Sequence, residues 1–407
     1  MQRGQPQSDV SIVEKLARSG RGVEVWWDSS PLVFPSWAQR VLDEAPEEDR
    51  ASLSVQLRRM YDPEHPATTL FSGVTTNPPL SLAAIRDNPT RWQQWIDHYL
   101  AQHPQADTED VAWNLYKEVV TQGAKAFQPL FEASGYRFGH ISAQVYPRHV
   151  FDESKMLAQA LELAALAPNV MIKAPGSAEG IRIIRQLTAR GIPTNATMCY
   201  LVSQFVAVAE AVLAGLIEAR ANGVDLTRWR SVVTDMSARW EDASGFKKQA
   251  QEAGLELTPE MQRYASIEVF KQAHRLFRRR AYPSKMLICS LRLGPLVNGE
   301  QRVWHLEHTA GADAVFTLPP GYIGQLLKEV NHVDLKNSIW DSTPPDILRQ
   351  LEKVPYFTRA LTPDGYTHEE FNTLEPLLST FNEFSGATEK MIGFVRDYMG
   401  AREATPG

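Results

Sequence analysis

Eight short runs of strand-forming residues, most of them followed by a segment with helical spacing, constrain this chain more than anything else in it. They are VEVWW at 23–27, LFSGVTT at 70–76, HISAQVY at 140–146, NVMIKA at 169–174, IPTNAT at 192–197, SVVTDM at 231–236, KMLICS at 285–290 and DAVFTL at 313–318. Strand–helix alternation is the pattern of parallel βαβ units, and eight strands is the number that closes such a sheet into a barrel. The expected fold is α/β: a (β/α)8 TIM barrel with a helical insertion and a C-terminal helical extension. A doubly wound open sheet satisfies the same pattern, because strand order is not written in the sequence.

Helical spacing is clearest in ESKMLAQALELAALA and in GIRIIRQLTARG, which stops on Gly191, and a longer case is LVSQFVAVAEAVLAGLIEARANG. The stretch 78–139 is too long for one connection and carries the helical segments TRWQQWIDHYLAQH and DTEDVAWNLYKEVVTQGAKAFQPLFEAS. The expected organisation is a lead-in helix over 1–19, a barrel over 20–325 with the insertion at about 78–139, and a helical extension over 326–407 packed on the barrel. TPPDILRQLEKV and GATEKMIGFVRDYM are the best helices of the tail, the first opening on Thr343 as a cap with prolines in its first turn.

Composition narrows the function by exclusion. Of 407 residues 43% are apolar and 22% charged, ordinary for a globular chain. A net charge of −6 offers no basic field for nucleic acid and no polybasic membrane patch. The first 20 residues hold no apolar leader, no run approaches the length of a membrane span, and two cysteines fit a reducing compartment. A cytoplasmic protein is expected, a monomer or homodimer with a small-molecule partner and no nucleic acid or membrane. No Gly-rich dinucleotide fingerprint or phosphate-binding P-loop is present, so no cofactor is expected. No metal is expected either: WHLEH, with His305, Glu307 and His308, lacks the i, i+4 histidine pair of a zinc helix and reads as a solvated helix face. HRLFRRR at 274–280 reads as a solvated helix end, and Cys199 and Cys289 as small buried hydrophobes.

One residue resists a purely structural account. Lys173 directly follows Val170, Met171 and Ile172 in VMIKAPGSAEGIRII. Burying an ammonium is costly unless it is paired or loses its proton, so either a partner waits there or the neutral amine is wanted. In a parallel barrel the reactive groups come from the C-terminal ends of strands. Those ends carry Asp28, Asn77, Gln144, Lys173, Thr197, Thr234, Ser290 and Thr317, with Arg239 and Arg292 in the loops just beyond. A desolvated lysine attacks a carbonyl to form a Schiff base, an aspartate moves the proton that carbon–carbon cleavage requires, and two arginines suit a phosphate. A buried ion pair for Lys173 and Asp28, and surface positions for the arginines, are the structural alternatives.

The segments SGVTTNPPL, NVMIKAPGSAEGIRIIRQL and GIPTNATMCYLVSQ resemble the transaldolase family, and the likeness runs through VWWDSS, SVVTDMSARWED and ICSLR over roughly residues 20–325. The resemblance implies a metal-free class I barrel that moves a dihydroxyacetone unit between phosphosugars through a lysine imine. It implies the imine-forming role for Lys173, handling of the donor's hydroxyl proton for Asp28, and a hold on the dihydroxyacetone moiety for Asn77, beside Thr76 in the same signature. Thr197 would orient the catalytic water, Thr234 stands where the family has a serine near the substrate, and Ser290, Arg239 and Arg292 fall on the phosphate set.

Two positions depart from the family. Gln144 replaces its glutamate, and glutamine orients water without accepting its proton at neutral pH. The fructose-6-phosphate aldolase branch also has glutamine here but pairs it with a tyrosine on a later strand, where this chain has Met236 and transaldolases have phenylalanine. Strand alternation puts Tyr146 on the inward face with Gln144 and Ser142, so Tyr146, or Asp235 beside Met236, is the candidate substitute. Simple packing with a hydrogen-bonded hydroxyl is the alternative for Tyr146. The functional readings are a transaldolase with rerouted proton transfer, a class I aldolase (a lyase), a specialised carbon–carbon bond former on an unusual sugar or keto substrate, or a phosphosugar-binding pseudoenzyme.

Overall fold

The computed structural model describes residues 10–403, so the first half of the expected lead-in lies outside the described residues; Ile12–Arg18 is helical, capped by Ser11. Each of the eight runs is a strand: β1 Glu24–Trp27, β2 Phe71–Thr75, β3 His140–Gln144, β4 Val170–Pro175, β5 Thr194–Cys199, β6 Ser231–Met236, β7 Lys285–Cys289 and β8 Ala314–Leu318. Every neighbouring pair is parallel and the sheet closes, β1 lying between β8 and β2. That closure decides for the (β/α)8 barrel over the open sheet. Nearly all strand residues are buried on both faces, the lumen inside and helices outside, as expected of a parallel sheet.

Three helices fill the connection from β2 to β3: Pro78–Asp87, Pro89–Gln102 and Thr108–Ala133. Asn77, Asn88 and Asp107 cap them in turn, each side chain accepting from the backbone N–H three residues on. The longest buries Val111, Leu115, Tyr116 and Val119 along one stripe, and each such fully buried side chain contributes about 1.5–3 kcal/mol relative to exposure.

After the last barrel helix, Pro320–Glu329, come Pro345–Leu351, Pro355–Ala360, His368–Phe371 and a 29-residue helix, Glu375–Glu403. One sequence reading needs correction here. Pro344 is the cap of Pro345–Leu351, while the Thr343 hydroxyl donates to Glu268 instead. GATEKMIGFVRDYM is helical as expected, inside the longer Glu375–Glu403. That C-terminal helix packs on the insertion helices and reaches the end of β5, where the Tyr200 hydroxyl donates to the Pro376 carbonyl at 2.9 Å. It crosses the C-terminal end of the barrel.

The expectation of no span-length apolar run is also corrected. Val202–Ala221 is long and apolar enough by composition, but 56% of its most apolar window is buried inside the protein, against the helices Ala178–Thr188 and Pro259–Arg279. It is a core helix. The basic run ends Pro259–Arg279, with His274 buried and Arg278 over the Trp340 ring.

Candidate active site

At the C-terminal end of β4 the Lys173 side chain is 6% exposed, and its amine donates to the Thr76 carbonyl at 3.1 Å. Register places it between Gln144 on β3 and Asn195 on β5. Burial pushes the amine below the ordinary lysine range; Asp28 opposes that shift and Arg239 adds to it. Asp28 follows β1 at the rim of the lumen and accepts from the Thr75 hydroxyl at 2.6 Å. Burial raises its carboxyl above the ordinary range, against the pull of Lys173 and Thr75. Both groups are thus displaced toward their neutral forms. Thr75 also meets Thr317 of β8, and Cys289 lies close by with its thiol pushed up to about 12 by burial, so it stays protonated.

The adjoining side chains divide into committed and uncommitted ones. Thr76 donates to the Ser142 carbonyl, and the Asn77 side-chain amide oxygen serves as the helix cap. Thr234 donates to Asn195 at 2.7 Å, and Asn195 in turn donates to Ser142 at 3.0 Å, tying β6, β5 and β3 across the lumen. Thr197 is fully buried, 3.9 Å from the Met236 sulfur. Gln144 is 1% exposed with its amide oxygen unpartnered, while the Tyr116 hydroxyl, from the insertion, holds its backbone N–H and carbonyl.

The two candidate substitutes for the missing glutamate each have their own surroundings. Strand β3 ends at Gln144, so alternation no longer governs Tyr146. Its ring lies edge-on to Trp113 at 4.7 Å on the insertion helix, with Arg148 over it and its hydroxyl buried without a partner. Asp235 occupies the face of β6 opposite Thr234; it accepts from Ser237 and is pushed up to about 8 by burial.

Beyond the strand tips, Ser290 takes φ +58° and turns the chain so that Ser290 and Arg292 line one cavity of about 440 Å³ with Arg239. A left-handed serine is strained, and such strain concentrates at binding sites. Arg239 is bound by Glu383 of the C-terminal helix, at 2.7 and 3.0 Å, and Arg292 pairs with Asp242.

Beneath Arg292 lies a buried network that sequence reading missed. The Arg292 backbone N–H donates to His305 Nδ1 at 3.1 Å, so Nε2 carries the hydrogen and faces Glu241 at 3.4 Å. Arg263 donates to Glu241 and to the Arg292 carbonyl. Burial and Arg263 lower His305 to about 4; burial alone would raise Glu241, but His305, Arg263 and Ser266 bring it down to about 2. His305 is therefore a neutral, fully buried support and not part of a solvated face. Asn195 could have been found from its place two residues before Thr197 on the inward face; nothing local marks His305, Glu241 or Arg263. The cluster with metal-ligand spacing among the described residues, Asp62, Glu64 and His65, is an exposed turn in which Asp62 accepts from His65 and the Glu64 backbone.

Fold and site together define a closed parallel (β/α)8 barrel with a lysine-centred polar mouth. The family described as Transaldolase/Fructose-6-phosphate aldolase matches residues 55–364, and the chain belongs to it. Similar proteins include a transaldolase of Saccharopolyspora erythraea, 32% identical over 187 residues (46% of this chain, 50% of the relative). Transaldolase 1 of Streptomyces avermitilis is 33% identical over 187 residues (45% and 48%), and a transaldolase of Thiobacillus denitrificans 31% over 179 residues (42% and 48%). The chain thus spans about half the length of the curated relatives it matches. Asp28 precedes the matched span.

Proposed function

We propose that this protein is a transaldolase-like enzyme that makes and breaks carbon–carbon bonds through a Schiff base on Lys173, moving a dihydroxyacetone unit between ketose and aldose phosphates. The observation that carries the reading is the buried Lys173 amine at a strand tip, biased toward neutrality and held by a carbonyl rather than a carboxylate.

The neutral amine attacks the donor ketone to give a carbinolamine, and Asp28, biased toward its protonated form, supplies a proton as water departs. The iminium and the Asp28 carboxylate then face each other. That carboxylate takes the proton of the hydroxyl on the cleaved bond, the carbon–carbon bond breaks into the iminium, and an aldehyde leaves behind a Lys173 enamine. Addition of the enamine to an acceptor aldehyde reverses these steps. Gln144, Thr197 and the Asn77 amide orient water and hydroxyl groups, and Ser290, Arg239 and Arg292 receive the phosphate.

A second reading, class I aldolase action, draws on Gln144: its unpartnered amide oxygen can hold water without acting as its base. Free aldehyde and dihydroxyacetone released without any acceptor distinguish it. The central experiment is incubation with fructose 6-phosphate or sedoheptulose 7-phosphate, borohydride reduction and mass mapping. The expected adduct is on Lys173; an adduct elsewhere, or none with either ketose, defeats the imine.

A further inference from the structure

Both guanidinium groups of the mouth are already engaged by carboxylates of the chain itself. Glu383 meets Arg239 with both oxygens, at 2.7 and 3.0 Å, and Asp242 pairs with Arg292. The same cavity bears Glu375, whose carboxylate accepts from the Ser244 and Gly245 backbone N–H groups at 2.7 and 2.9 Å. Two positive and three negative groups leave this lining with a net negative charge, an odd balance for a pocket that receives a phosphate dianion.

The three carboxylates are not equivalent. Glu375 is committed to capping the helix Ser244–Glu252, and Asp242 sits on the same barrel loop as the helix bearing Arg239. Glu383 comes from the separate C-terminal helix, and its side chain is 53% exposed while that of Arg239 is 25% exposed. A carboxylate in the fork of a guanidinium presents two oxygens in the arrangement a phosphate would use. Arg239 is steadied by the Phe384 ring, 5.5 Å from its guanidinium carbon, so the fork stays in place when its partner changes. Glu383 also lines a second cavity, between the C-terminal helix and Pro78–Asp87, where Arg86 and Lys390 offer a displaced carboxylate new cations.

We propose that Glu383 is a specificity-determining residue: its carboxylate occupies Arg239 in place of the substrate's anionic end, and a phosphate ester enters by exchanging with it. The proposal rests on reading this mouth as a phosphosugar site. Each phosphorylated substrate displaces a charge-assisted pair, whereas a ketone without an anionic end reacts at Lys173 and leaves that pair intact. Glu383 therefore compresses the preference for phosphorylated over unphosphorylated ketones.

Glu383→Gln and Glu383→Ala in the full chain test this, with inorganic phosphate as the calorimetric probe and fructose 6-phosphate and dihydroxyacetone as substrates. Both variants are expected to bind phosphate about ten-fold more tightly than the wild type. KM for fructose 6-phosphate falls with it, and the half-saturating concentration of dihydroxyacetone does not. Absence of tightening in either variant overturns the proposal. Phosphate binding needs no chemistry at Lys173, so tighter binding without a Lys173 adduct would leave the Glu383 assignment standing and fail only the imine.

Discussion

Lys173 and Lys285 are both lysines on barrel strands, and they sit at opposite ends of the lumen with opposite surroundings. Lys285 begins β7 at the base, where its amine meets Glu24 and Asp313, each at 2.9 Å. Glu24 is also held by Arg230, and although burial alone would raise its carboxyl, the two cations bring it below the ordinary range. Charge is buried there and compensated. At the mouth Lys173 has a carbonyl as its hydrogen-bond partner, and Asp28 is itself pushed toward neutrality. That environment favours an uncharged Lys173 amine. One residue type meets two carboxylates at one end and a backbone carbonyl at the other, and the partner sets the difference.

Asp28→Asn strikes this contrast hardest. Under the proposed mechanism, removing the Asp28 carboxyl is expected to cost on the order of 10²–10⁴ in turnover. The same change moves borohydride trapping in a direction fixed by charge. A carboxylate beside Lys173 favours the ammonium, so its loss lowers the amine's pKa further and shifts the acid limb of the trapping profile to lower pH. Unchanged turnover, or a shift toward alkaline pH, would separate Asp28 from Lys173 chemistry.

Lys285→Met tests the other end. It leaves Glu24 with Arg230 and is expected to cost about 1–3 kcal/mol of stability, while Lys173 trapping keeps its rate and pH profile. Glu24 is depressed in the fold, so its contribution is present above the ordinary carboxyl pKa of 4.5 and is lost as pH falls. The gap in Tm between wild type and variant should accordingly be open at pH 7 and narrow below about pH 4 in thermal melts. A trapping defect in this variant would dissolve the division between base and mouth.

What could be read from the sequence follows the same logic of local against distant causes. The strands were legible because β-branched runs carry their own signal, and Lys173, Thr197 and Thr234 follow from period-two alternation inside them. The pairing of Arg239 with Glu383 joins residues 144 positions apart, and the support beneath Arg292 joins residues 241, 263 and 305. No local pattern encodes such meetings. His305 looked solvated because WHLEH is a short polar segment, yet the fold sets it against the helix Pro259–Arg279, where it is fully buried. Val202–Ala221 carries the opposite ambiguity: a buried core helix and a membrane span share one composition, and only packing separates them.

Tyr146 shows how far alternation can be carried. Its inward placement requires β3 to continue two residues past Gln144, but the chain turns there into the single-turn helix Pro147–His149. The ring is left among Trp113, Tyr116 and Arg148. A buried hydroxyl without a partner is a net cost, so Tyr146→Phe should stabilise the fold by about 1 kcal/mol. Turnover and Lys173 trapping should stay at wild-type levels, because Gln144, not Tyr146, shares the register of the amine. A stability gain with intact turnover fixes Tyr146 as packing for the insertion; a loss approaching 10²-fold, the scale of a missing acid or base, would instead draw the insertion helix into the chemistry of the mouth.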